Sequence, residues 1–144
     1  MERDGKKDGS IAFVPYQIAF TKKLHIAETS QYMGPACFGG DLVAKYLLPF
    51  VRANYPGVLL AQEKWGWHIF FNDDGAVISV QIYCDDAYSG AFRVVVLSRV
   101  KKMMFLKKVV DVPELKYLMG LLVPLLEEWA AEPCIITELT SVEV

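Results

Sequence analysis

Glu63 and Asp86 are the side chains best placed for acid/base chemistry, because a hairpin centred on Asp74-Gly75 brings the segments that carry them side by side. Two carboxylates facing each other at the end of a ladder, partly out of water, repel. The one that keeps its proton becomes a general acid beside a general base. A frayed, solvated ladder end is the plainer role for the same pair. Cys37 and His25 share the long segment Thr21–Gly40 and are the residue types of a thiolate nucleophile and its base, although a cysteine is more often a small buried apolar side chain. Gly34, Gly39 and Gly40 precede a helix as phosphate-cradling glycines do, yet no Gly-Lys-Ser/Thr follows, and Asp41 puts negative charge where a phosphate would dock. Tyr88-Ser89-Gly90 lacks the Gly-x-Ser-x-Gly frame of a nucleophile elbow. No metal and no cofactor are expected: His68 and Cys84 fall on opposite sheet faces, and Cys37, Cys134 and His25 lack ligand spacing. Arg99, Lys101, Lys102, Lys107 and Lys108 form one basic cluster, fit for an anion, an acidic partner or solvent.

These residues must be positioned by the elements around them. The first ten residues read as a disordered tail, and 11–144 as a single domain. Ile11–Phe20 is rich in Val, Ile, Phe and Tyr and reads as a strand, pushed toward a sheet edge or a bulge by Pro15. Asp41 is expected to cap a helix whose Leu42, Val43, Tyr46, Leu47, Phe50 and Val51 recur at helical spacing and which ends at Tyr55-Pro56-Gly57. Strands follow at Val58–Asn72, Ala76–Asp85 and Ala91–Arg99, then an ambiguous stretch Val100–Val110. Asp111-Val112-Pro113-Glu114 opens a second helix with Leu115, Leu118, Met119, Leu122, Leu125, Leu126 and Trp129 on one face, and Cys134–Leu139 is a last strand. The order β-α-β-β-β-α-β predicts an α+β fold: a mostly antiparallel sheet of about five strands, with both helices packed on one face.

Asp74-Gly75 also sets the register. A two-residue loop pairs Asp73 with Ala76, so Phe71 faces Ile78, Ile69 faces Val80 and Trp67 faces Ile82; continued, Trp65 faces Cys84 and Lys64 faces Asp85. One face is then apolar and belongs to the core, with Trp65 and Trp67 projecting into it. The other carries Lys64, His68, Phe70, Gln81, Tyr83, Asp85, Arg93, Val95, Leu97 and Arg99. Aromatic and Arg-rich faces of this kind recur at binding surfaces. Its alternatives are an ordinary solvated face or one covered by the Thr21–Gly40 segment.

Composition narrows the function class. The 144 residues are 53% hydrophobic and 22% charged, a balance that folds without disulfide or metal staples, and the formal charge of −2 supplies no general attraction to nucleic acid. The longest apolar run in the second half, Tyr117–Leu126, is too short to span a membrane, and three widely spaced cysteines fit a reducing cytoplasm. Glu63-Lys64-Trp65-Gly66-Trp67 resembles small bacterial proteins of uncharacterised function that carry an acidic residue and Trp-Gly-Trp on a central strand; the resemblance implies no activity, cofactor or catalytic residue. The expected function is a cytoplasmic, non-enzymatic module that binds another protein through Lys64, His68, Gln81, Tyr83, Asp85, Arg93 and Arg99. The alternative is a small-ligand binder or hydrolase-like enzyme using Glu63 and Asp86 with Thr21–Gly40 as a lid. A homodimer is a further expectation, because the second helix carries Tyr117, Leu121 and Val123 off its apolar stripe.

Overall fold

The computed structural model describes residues 15–102 and 106–139; the expected tail over 1–10 and residues 11–14 of the first expected strand lie outside the described residues. In chain order the elements are β1 (Tyr16–Thr21), a 3₁₀ turn (Pro35–Cys37), α1 (Gly40–Asn54), β2 (Leu59–Glu63), β3 (Gly66–Asp73), β4 (Ala76–Asp86), β5 (Ala91–Lys102), β6 (Leu106–Val110), α2 (Pro113–Trp129) and β7 (Ile135–Glu138). The strands form one antiparallel sheet in the order β2-β3-β4-β5-β1-β7, with β6 paired to β5. The class is α+β as expected. The sheet has seven strands rather than about five.

Both extra strands come from places where turns were not legible. The expected strand Val58–Asn72 breaks at Lys64-Trp65 into β2 and β3, which fold back so that Glu63 faces Gly66. Val100–Val110 divides between the end of β5 and β6. The Asp74-Gly75 hairpin stands as read: Asp73 faces Ala76, Phe71 faces Ile78, Ile69 faces Val80 and Trp67 faces Ile82. Asp74 at φ 50 and Gly75 at φ 83 have the two left-handed residues that a turn of this kind requires.

Parity then sorts the side chains. Ile18, Ile69, Ile78, Val80, Ile82, Val94 and Val96 are fully buried on one face, under Val43, Leu47 and Val51 of α1 and Leu115, Leu118, Leu122 and Leu126 of α2. Each such side chain is worth about 1.5–3 kcal/mol when removed from water, so this face carries the stability of the fold. The Thr21–Gly40 connection belongs to the helix side. Cys37 is buried there, its thiol donating to the Glu63 carbonyl at 3.0 Å, and the Trp67 indole N–H donates to the Cys37 carbonyl at 2.9 Å.

Several local expectations are corrected. β1 lies inside the sheet between β5 and β7, with Pro15 just ahead of the strand, where its carbonyl accepts from the Leu139 N–H. A proline before the first ladder residue removes no sheet hydrogen bond, so it does not force an edge. Gly39, at φ 76, is the cap residue of α1, and Asp41 sits in the first turn, where its carboxylate accepts from the Tyr32 hydroxyl at 2.7 Å. Val112 caps α2, and Glu114 is occupied by the Tyr55 hydroxyl. Leu121 and Val123 pack against the core, leaving Tyr117 exposed on α2.

Candidate functional site

Among the described residues no helix covers the far face, and its side chains follow from register as rows across the sheet. One row runs Ala61, His68, Gln81, Val95, Gln17, Thr137; the next runs Leu59, Phe70, Ser79, Leu97; a third runs Asn72, Val77, Arg99, Val109. Tyr83 faces Arg93, which faces Ala19. The centre of this face is closed and its rim is open. Ser79 and Leu97 are fully buried, and Gln81 and Val95 nearly so. Gln81, expected to contact a partner, instead accepts a hydrogen bond from the Tyr83 hydroxyl at 2.8 Å, which aims the ring.

The half-buried residues form one aromatic cluster. The His68 ring stacks on Phe70 with centroids 4.5 Å apart, and its Nε2 lies 2.9 Å from the Ser79 hydroxyl. Trp65 meets His68 edge-on at 5.5 Å and lies 5.3 Å from Tyr83. This corrects the expectation that Trp65 points into the core. The turn at Lys64-Trp65 ends the ladder at Trp67, so parity no longer carries Trp65 inward, and the indole folds over the far face. Arg93 caps Tyr83, its guanidinium carbon 4.6 Å from the ring centre, and forms an exposed ion pair with Asp85 at 2.9 Å. Such a pair adds little stability but fixes the cation's direction.

The other expected pairings do not form. Lys64 is an exposed turn residue, not the partner of Asp85. Glu63 faces Gly66 and Asp86 faces Ala91, so the ladder does not set the two carboxylates against each other. Asp86 is engaged in its own turn, accepting from the Tyr88 N–H and the Ser89 hydroxyl, both at 3.1 Å. Cys37 is buried while His25 is exposed. Burial pushes the Cys84 thiol up to about 11, an unreactive state. Among the described residues, no three of His, Cys, Asp and Glu come together as metal ligands. No helix among them is long and apolar enough to cross a membrane.

Beside His68 lies a recess of about 440 Å³ lined by His68, Phe70, Asn72, Gly75, Val77, Arg99 and Val100. Asn72 and Val77 were not foreseen as part of a site; their signal was the same period-2 parity that placed Phe70 and Arg99 on this face.

His68 itself is a built-in reporter. Burial pushes its imidazole below the ordinary value of 6.5; Glu63 opposes this and Arg99 reinforces it. The unfolded chain therefore takes up a proton at higher pH than the folded one, and stability falls as pH drops from 6.5 through the lower folded value. Melting temperature measured between about pH 7 and pH 5 is expected to decline, and His68→Gln to flatten the upper part of that decline. An identical slope in the variant would remove His68 as its cause.

An α+β domain with a one-sided core and an aromatic, arginine-bearing far face is the class that fold and site define. No family model matches the chain, and no curated protein and no solved structure gives a match either.

Proposed function

We propose that this protein is a cytoplasmic, non-enzymatic binding module that engages another protein through the sheet face opposite the helices. The observation that carries the reading is the pre-ordered cluster of Trp65, His68, Phe70 and Tyr83 with Arg93 stacked over Tyr83, all partly accessible and all held on or beside paired strands. Trp, Tyr and Arg dominate binding energy at protein interfaces: the rings bury large areas at a small entropic cost, and a stacked, ion-paired guanidinium such as Arg93 is already oriented. Rigid strands remove part of the ordering cost that a loop-borne site would incur on binding. An enzyme built on Glu63 and Asp86 has less support, since Asp86 is spent in its own turn and Glu63 lies across the sheet from Gly66.

The test is affinity capture with the immobilised protein from the cells that make it. Tyr83→Ala and Arg93→Ala are expected to weaken retention of the captured protein on the order of 30-fold each, the equivalent of about 2 kcal/mol at an interface anchor. Their melting temperatures should stay close to the parent's, since neither side chain belongs to the core cluster. Unchanged capture by both variants would overturn the reading.

A further inference from the structure

The recess at Arg99 sits at one end of the proposed binding face, and its chemistry is more specific than the face as a whole. Phe70, Val77 and Val100 supply its apolar wall and His68 and Asn72 polar groups; among the described residues that line it, Arg99 carries the fixed charge and none is a carboxylate. Among the described residues, the Arg99 Nε–H is buried with no hydrogen-bond acceptor. A buried donor without an acceptor costs free energy, and more so on a charged group. A guanidinium edge of this kind is matched in geometry and charge by a carboxylate. The volume falls inside the range of about 300–1,000 Å³ typical of small-ligand pockets, larger than one acidic group needs, so the apolar wall has room for the body that carries the acid.

We infer that this recess is a carboxylate-binding subsite, taking an acidic group borne on an apolar body, in the first place an Asp or Glu side chain of the partner protein with its apolar neighbour. The inference rests on the reading of the sheet face as a binding surface. Val77 and Arg99 face each other across β4 and β5, so the ladder fixes the points from which the apolar wall and the arginine side chain rise. Phe70 is stacked on His68, which closes the third side. An acid whose ring or chain lies along Phe70 and Val77 presents its oxygens to Arg99.

Benzoate and its neutral counterpart benzamide are the probes, followed through the Arg side-chain Nε–Hε signals of the labelled protein. Benzoate is expected to shift the Arg99 signal saturably, and benzamide to do so at least about tenfold more weakly. Arg99→Gln should weaken benzoate binding by a similar factor, and Lys116→Gln, a charge change on exposed α2, should not. Arg99→Lys keeps the charge but loses the planar fork, so it provides a folded intermediate case, weaker than the parent. Equal responses to benzoate and benzamide, or an Arg99→Gln affinity within about twofold of the parent, would overturn the subsite. If that happens while Tyr83→Ala still weakens partner capture as above, the carboxylate assignment falls and the binding face stands. Benzoate that also displaces the captured partner supports a protein-borne acid; benzoate that binds at Arg99 without displacing it overturns the partner as the source.

Discussion

Gly66→Ala is expected to lower the unfolding free energy by on the order of 3 kcal/mol, and the melting temperature by about 10 °C. Two independent costs meet at this position. Gly66 has φ +151, a backbone region that side-chain-bearing residues rarely enter, and a Cβ added there would lie 2.2 Å from the Ile82 carbonyl oxygen. The obstacle is backbone of a central strand, which cannot rotate away as a side-chain tip could. Relief would require β3 and β4 to separate where Trp67 and Ile82 are paired, and with them the Trp65 turn that shapes the aromatic face. The same substitution at Gly120 should have the opposite sign. Gly120 is exposed within α2 and an added Cβ meets nothing within 4 Å, so Gly120→Ala gains roughly 0.5–1 kcal/mol from helix propensity and unfolded-state entropy. Thermal melts of the two variants read the contrast directly; a Gly66→Ala loss below about 1 kcal/mol would show that the hairpin relaxes.

Leu122→Ala is the second large effect. Leu122 is fully buried in the α2 stripe with Leu115, Leu118 and Leu126, above the fully buried Ile and Val of the sheet. Truncation loses the transfer free energy of three carbons and leaves a cavity that two packed layers cannot fill, about 2–5 kcal/mol together. Tyr117, five residues earlier on the same helix and 73% exposed, should change stability by no more than about 0.5 kcal/mol on replacement by Ala. Denaturant titrations with an unchanged m-value would confirm the cavity as the cause; a Leu122→Ala loss no larger than that of Tyr117→Ala would contradict the core described here.

How far the sequence reaches is best seen along β3. Asp74-Gly75 is a turn with a mechanism, and the pairing it sets runs unchanged from Asp73 back to Trp67, which also places Phe70, His68, Tyr83, Arg93 and Arg99 on the far face. Lys64-Trp65 carries no such signal, since neither residue is a turn former and both sit among strand-favouring neighbours. The available clue was Gly66 directly after the pair, a glycine inside an apolar stretch, whose close approach to Ile82 only the packed sheet reveals. Missing that turn put Trp65 in the core, set Lys64 against Asp85, and aligned Glu63 with Asp86. The burial of Gln81 and Leu97 and the unmatched Nε of Arg99 were equally out of reach, because accessibility at the middle of a sheet face depends on how the longer side chains around it fold over.

The place of β1 orders the way the chain assembles. Both of its partners, β5 and β7, come after it, and about 70 residues separate Thr21 from Ala91. At roughly 5–20 residues per second of synthesis, β1 waits some 4–14 s with nothing to pair with. The β2-β3-β4-β5 meander, by contrast, closes by successive hairpins between neighbours in sequence, each able to form as soon as it is made. β1 must then be recruited across that long loop to one half of β5's free edge, beside the half that β6 takes from Ser98 onward. Only after it is seated does β7 find a ladder. The segment Tyr-Gln-Ile-Ala-Phe-Thr is thus made before either of its neighbours in the sheet, and its place stays open until β5 has been laid down.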